Sequence, residues 1–231
     1  MKKILITGGN GRFAEILKKT KTNIKFVYTN KKQLNICSYN SIVKAIKKYK
    51  PKTILHLAGL SRPMNIHTKN INKSINLNII GTANLVAACS EYKIKIIYFS
   101  TSYIYPGDKG NYKEDDPILP WNNYGWSKLG GECAVQMYEN SLILRACMTQ
   151  KPFLHKKAYA NVSSNFIYHD DIIKIFLKIL NKKGIYNIGG KSQTIYNFAK
   201  KENKNIEKIY SKGEFPLKQN MSLNKLYKNI K

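Results

Sequence analysis

From Ile16 to Ser90 the chain holds no aspartate and no glutamate. That stretch therefore has no carboxylate to bind a metal ion, take a proton or accept hydrogen bonds from a sugar. Acids are scarce throughout: 13 Asp and Glu stand against 40 Lys and Arg, for a net charge of +27. Arginine is scarcer still. Arg12, Arg62 and Arg145 are the only three, and every other basic residue is a lysine, spread along the whole chain. Specific nucleic-acid recognition relies on arginine forks, and no recognition motif stands among the lysines. Lys, Asn, Ile and Tyr are abundant together, as an AT-rich coding sequence would make them, so the charge is read as composition and no specific nucleic-acid partner is expected. The four cysteines, Cys37, Cys89, Cys133 and Cys147, form no CxxC pair and no zinc spacing with a histidine. They read as small buried residues in a reducing compartment, with no metal centre. No apolar run approaches the ~18 residues of a membrane span. The opening Met1-Lys-Lys-Ile-Leu-Ile is too short an apolar run for a secretory signal. The expectation is a soluble, cytoplasmic protein with no membrane partner, in which 231 residues support one core or one core with a small lobe.

Ile4-Leu-Ile-Thr7 is a short apolar run closed by glycines, which predicts a buried strand. Gly8-Gly-Asn-Gly11-Arg12-Phe13-Ala14 follows, leading into a helical pattern through Leu17. Gly8 suits the tight turn and Gly11 the close approach of backbone to a pyrophosphate at a helix N-terminus. Ile24–Tyr28 predicts a second strand. At its end an NAD-specific fold would place an acid on the ribose 2′-hydroxyl, whereas this chain has Thr29-Asn30-Lys31-Lys32. With no carboxylate nearby and lysines in its place, a 2′-phosphate is attracted, so NADP(H) is favoured and NAD(H) is the alternative. Ser41–Lys50 predicts a helix ended by Pro51, and Thr53–Leu57 a buried strand leading to Ala58-Gly59, small enough for a cofactor to lie on the backbone. His56, inside that strand, reads as a packed residue. A long helix is expected from about Thr68 to Tyr92, then a strand Ile94–Phe99 that delivers Ser100, Thr101 and Ser102 at its carboxyl end. The acids of the loop 103–120 (Asp108, Glu114, Asp115, Asp116) read as a solvated rim.

Tyr124-Gly-Trp-Ser-Lys128 carries the chemistry. On a helix over 124–139, Tyr124 and Lys128 sit at i and i+4, on one face. A fixed ammonium beside a phenol favours the phenolate, which makes the phenol a proton donor near neutral pH. The strand Leu142–Arg145, an irregular stretch 146–165, a helix to Leu180 with Asp170 or Asp171 as N-cap, a strand over Gly184–Gly190 and a helical, solvated lysine-rich tail complete the expectation. His169 reads as capping and packing. Alternating strands and helices imply an α/β fold with a doubly wound parallel sheet of Rossmann type.

Thr7–Ala14, His56–Gly59, Asn78-Ile-Ile-Gly-Thr82, Phe99-Ser-Thr-Ser-Tyr-Ile-Tyr105, Tyr124–Lys128 with Gly131-Glu132, Leu144-Arg145, Phe166–Asp171 and Tyr186–Gly189 occur in the order of a known pattern. Together they resemble the extended short-chain dehydrogenase/reductases, the NAD-dependent epimerase/dehydratase family. The resemblance implies a catalytic triad of Thr101, Tyr124 and Lys128, with Asn78 supporting a proton relay. It further implies cofactor contacts from Gly8, Gly11, Arg12, Phe13, Asn30, Lys31, Asn35, Ile36, Leu57, Ala58, Gly59, Asn78, Tyr124 and Lys128. Substrate contacts are implied for Thr101, Ser102, Tyr103, Tyr124 and Met148. Within the family the pattern is nearest the reductases of nucleotide-linked 4-keto-6-deoxy sugars. The 4,6-dehydratases carry an Asp-Glu pair where this chain has Ser102-Tyr103, and the GDP-fucose synthase branch carries an epimerising cysteine at Tyr103. The expected activity is thus NADPH-dependent reduction of a nucleotide-linked keto-sugar by a homodimer, paired through helices 68–90 and 124–139. The alternatives are a sugar-nucleotide epimerase and a non-catalytic NADP-binding subunit. One domain over 1–231 is expected, with 146–168 and 189–231 forming a reduced substrate lobe, because only about twenty residues separate Arg145 from Phe166.

Overall fold

The computed structural model of the chain describes residues 3–230. Its centre is a six-stranded sheet in the order β10-β5-β4-β3-β1-β2. The strands are β1 (Lys3–Thr7), β2 (Lys25–Tyr28), β3 (Thr53–His56), β4 (Lys95–Thr101), β5 (Ser141–Ala146) and β10 (Gly184–Ile188). β1 lies parallel to β2 and β3, with Ile4 opposite Phe26 and Thr53, and β3 lies parallel to β4, with His56 opposite Tyr98. Because both faces of such a sheet are covered by helices, its strands run apolar without alternation. Ile4, Leu5, Ile6, Ile54, Leu55, Ile96 and Ile97 are all buried.

The chain divides into two compact units: Met1–Ser100, Trp126–Leu144 and Leu180–Gly184 form the first, and Thr101–Gly125, Arg145–Ile179 and Ile185–Lys231 the second. In the first, α1 (Arg12–Lys19) follows the glycine turn and buries Phe13, Ala14 and Leu17. α2 (Tyr39–Tyr49) is capped by Ser38, whose side chain accepts from the Ser41 N–H, and it ends on Lys50 in the left-handed conformation ahead of Pro51.

The helix expected over 68–92 is interrupted once, at Asn70: α3 (Ile66–Lys69) precedes it, and α4 (Ile71–Ser74), a π-helical stretch Ile75–Ile80 and α5 (Gly81–Glu91) follow without a gap. Asn70 causes the break. Its side chain accepts from the Lys73 N–H and starts a new helix there, which is the competition with the backbone that short polar residues bring. β4 runs on through Ser100 and Thr101, beyond the expected end at Phe99. α6 spans Asn123–Gln136.

The second unit is more ordered than the sequence suggests. Within 146–165 stand β6 (Met148–Thr149), β7 (Lys157–Tyr159) and β8 (Ser163–Ser164), which pair with β9 (Ile167–Tyr168), β12 (Glu207–Ile209) and β11 (Gln193–Thr194) respectively. α7 (His169–Ile179) begins at His169, so Asp170 and Asp171 lie in its first turn, where they complement the helix dipole, and neither is the N-cap. The lysine-rich tail is only partly helical, in α8 (Ile195–Lys200) and α9 (Asn224–Asn229), and it is not merely solvated. Its Ile195, Phe198, Ala199 and Ile206 join Phe153, Ala158, Val162 and Tyr168 in a core of their own. Apolar residues spaced among lysines bury one face of a segment and leave the other charged. Two of the four cysteines also differ from expectation: all are free thiols, but Cys37 and Cys133 are exposed.

Candidate active site

Gly8 holds a φ of +67°, and a Cβ there would stand 2.7 Å from the backbone nitrogen of Ala58. Only glycine fits. The turn is closed by Gly11 N–H donating to the Gly8 carbonyl at 2.9 Å. Gly11, in extended conformation, is the N-cap of α1, so the glycine turn leads directly into the positive end of that helix. This is the anion cradle that a dinucleotide pyrophosphate requires, and the residues present fit it. Arg12, the first residue of α1, is exposed, and its guanidinium pKa is lowered by partial burial and by the charge of Arg62. Two positive charges close enough to act on one another attract an anion. Arg62 was missed in the sequence because nothing local links it to the glycine turn.

The Thr7 hydroxyl accepts from the N–H groups of Leu57 and Ala58 at 3.1 and 3.0 Å, fixing the wall on which a cofactor would lie. His56 bridges Thr7 Oγ1 at 2.8 Å and Thr82 Oγ1 at 3.1 Å. Burial, reinforced by the charge of Lys128, pushes the His56 pKa down to about 3, so the ring is neutral and structural, as its place in a strand interior predicts. Asn78, on the π-helical stretch, is buried. Its amide accepts from Leu60 N–H at 2.7 Å and donates to Leu60 O and Ser127 Oγ, both at 2.8 Å. Phe13 is buried and packs on Phe99 at 4.9 Å, and Ile36 is buried. Asn30 uses its side chain to order the turn at Lys32 and Gln33, Asn35 does the same at Cys37, and Lys31 is exposed.

α6 carries Tyr124 and Lys128 one turn apart, as the spacing predicts. Lys128 is half-buried, and the loss of hydration pulls its pKa down to about 7, against the opposing pull of Glu132 one turn further on.

In the second unit, Thr101 ends β4, and its Oγ1 accepts from Tyr103 N–H at 3.3 Å. Tyr124 is half-buried and meets the Tyr103 ring edge-on at 6.0 Å. Tyr103 also contacts Trp121 at 5.2 Å and Phe215 at 5.7 Å, while Trp121 and Phe215 lie 4.6 Å apart. This aromatic group was not anticipated, since Phe215 lies far along the chain. Ser102 is buried with its hydroxyl beside the Cys147 thiol, and Met148 is half-buried on β6. Arg145 is buried and donates to Tyr105 Oη at 2.7 Å and to the Glu114 carbonyl at 2.8 Å, a packing role. Among the described residues no group of three His, Cys, Asp or Glu side chains could hold a metal ion.

A parallel sheet, a glycine turn after β1 and a Tyr-x-x-x-Lys pair on α6 define a Rossmann-type protein of the extended short-chain dehydrogenase/reductase class. More particularly, the chain belongs to the RmlD substrate binding domain family, whose profile matches residues 1–152. It is 28% identical over 154 residues to dTDP-4-dehydrorhamnose reductase of Aggregatibacter actinomycetemcomitans, covering 64% of this chain and 52% of that one. It is 33% identical over 113 residues to methionine adenosyltransferase 2 subunit beta of Xenopus laevis, covering 48% of this chain and 34% of that one. The chain thus spans between a third and about half of these curated relatives. In fold it is similar to dTDP-4-dehydrorhamnose reductase of Bacillus anthracis, solved in complex with NADP. The TM-score is 0.88 at 22% identity, over 99% of this chain and 92% of that one.

Proposed function

We propose that the protein is an NADPH-dependent reductase of the keto group in a nucleotide-linked 4-keto-6-deoxy sugar, of which dTDP-4-dehydrorhamnose is the first to test. The observation that carries this reading is the pair Tyr124 and Lys128, one turn apart on α6. The glycine turn Gly8–Gly11 and the N-terminus of α1 would hold the pyrophosphate, Arg12 and Arg62 would draw the 2′-phosphate, and Lys128 would hold the nicotinamide ribose. When bound there, the dinucleotide would supply the hydride that reduces the keto carbon. Tyr124 gives its phenolic proton to the keto oxygen: the tyrosine O–H bond breaks, a new O–H bond forms on the sugar, and solvent returns a proton to the phenolate. Thr101 donates a hydrogen bond to that oxygen. General acid catalysis of this kind contributes about 10²–10⁴-fold. Thr101, Tyr103, Tyr124 and Met148, all of the second unit, are assigned to the sugar side, and Ser102 supports them from within.

The reading includes a homodimer. Trp126, Cys133 and Met137 fall on one stripe at and just beyond α6, and Ile71, Ile75 and Ile80 are exposed along α4 and the π-helical stretch. Four free thiols, two of them exposed, suit a reducing compartment, and the reading takes that compartment to be the cytoplasm. Among the described residues no helix is long and apolar enough to cross a membrane.

The test is to incubate the purified protein with NADPH and a panel of 4-keto sugar nucleotides, following loss of reduced-nicotinamide absorbance. Substrate-dependent loss supports the reductase, and conversion of a nucleotide-sugar without added NADPH points to an epimerase instead. A second reading, a non-catalytic dinucleotide-binding subunit, is favoured by the likeness to the methionine adenosyltransferase subunit. NADPH binding with no turnover on the whole panel would select it.

A further inference from the structure

The ammonium of Lys128 lies over an aromatic face. Its Nζ is 4.0 Å from the ring centroid of Tyr98. Tyr98 is fully buried in β4, and its hydroxyl donates to the backbone carbonyl of Lys128 at 3.0 Å. One residue thus meets Lys128 twice, at its charge through the ring and at its backbone through the hydroxyl. Gly131 makes the room, because a Cβ there would stand 2.7 Å from Tyr98 Oη. The His56 ring also stacks on Tyr98, at 5.7 Å and 30°. His56 is itself pinned by Thr7 and Thr82. A buried tyrosine commonly finds a partner for its hydroxyl; here that partner is the helical turn that carries Lys128.

We propose that Tyr98 is the positioning residue for Lys128: its ring face seats the ammonium and its hydroxyl fixes the turn of α6 beneath it. The inference rests on the reading of Lys128 as part of the reducing site and deepens it. A cation withdrawn from water is stabilised by the negative face of an aromatic ring, the more so where water is excluded. Among the described residues, Glu132, His56 and His67 carry the other charges that act on Lys128. Glu132, on its own helix, favours the charge. His56 from β3 and His67 from α3 oppose it when charged, and burial lowers the pKa of each. Tyr124 stands one turn earlier on α6. Burial pulls the Lys128 pKa down to about 7, so a change at the ring shifts its titration within a pH range where the folded protein can be followed.

The test changes the ring's electrostatics without its shape. Tyr98→Phe keeps the face and drops the hydroxyl; Tyr98→3,4,5-trifluorophenylalanine keeps the outline and weakens the face. Competitive acetylation with acetic anhydride across pH, read by peptide mass spectrometry, gives the titration of Lys128 in each folded protein without any substrate. The expected result is a Lys128 pKa in Tyr98→Phe close to the parent's and one lower by about half to one pH unit in the fluorinated protein. The matching limb of the kcat profile should move in parallel. The same Lys128 titration in all three proteins would overturn the proposal. A titration that follows the ring in a protein that reduces no 4-keto sugar would support the role of Tyr98 and refute the reductase reading, so the two failures are distinct.

Discussion

The side-chain amide of Asn78 donates to Ser127 Oγ across 2.8 Å, one residue before Lys128, while the same amide holds both backbone groups of Leu60. A residue of the π-helical stretch thereby fixes α6 and the loop after β3 at once. Asn78→Ala removes three hydrogen bonds and leaves the Leu60 groups and the Ser127 hydroxyl to find other partners. The expected loss is about 2 to 3 kcal/mol of unfolding free energy. Urea denaturation, with a lower midpoint at an unchanged slope, checks it.

Cofactor choice follows from the missing carboxylate after β2 and from the coupled charges of Arg12 and Arg62. NADPH is expected to bind more tightly than NADH. Arg62→Ala should weaken NADPH by roughly tenfold, the loss of one charge-assisted contact, and leave NADH nearly unchanged. Fluorescence titration of both dinucleotides decides, and tighter NADH binding in the parent protein would contradict the assignment.

His56 ties stability to pH. Its folded-state pKa is depressed to about 3 from an ordinary value of 6.5. Between those values the unfolded chain takes up a proton that the folded protein does not, so stability is lost as pH falls from 6.5 toward 3 and is untouched above that range. The loss attached to this one group is on the order of 3 to 5 kcal/mol. In His56→Gln, denaturation at pH 7 and pH 4 should differ by less than in the parent. An equal acid sensitivity in both would refute the role given to His56.

Phe215 rests on Trp121 and Tyr103, and Tyr103 meets Tyr124 edge-on. Phe215→Ala frees this group and lets the acid wander. A fall in kcat of about tenfold is expected, because a small misplacement of a reacting group is costly. Steady-state kinetics checks it, with NADPH affinity as the control.

What could be read in the sequence is what depends on neighbours in the chain. The glycine turn from Gly8 to Gly11, the apolar runs that became β1, β3 and β4, and the spacing of Tyr124 and Lys128 are local patterns, and each stands where it was expected. The break at Asn70 was hidden because a single capping side chain overrides a helical pattern that otherwise continues. Tyr98 read only as one more apolar strand residue, since its meeting with Lys128 needs the packing of α6 and the gap at Gly131. Arg62 and Phe215 likewise gain their meaning from residues distant in sequence. The tail was misjudged because its lysines outnumber the Ile195, Phe198 and Ile206 that form a core.

The central claim is that Tyr124 is the acid of a keto-sugar reductase. The direct measurement is NADPH consumption with dTDP-4-dehydrorhamnose by the parent protein and by Tyr124→Phe, alongside NADPH binding to both. The account predicts substrate-dependent consumption by the parent, a loss of about 10²-fold or more in the variant, and NADPH affinities within about twofold of each other. Equal turnover by the two proteins would contradict it.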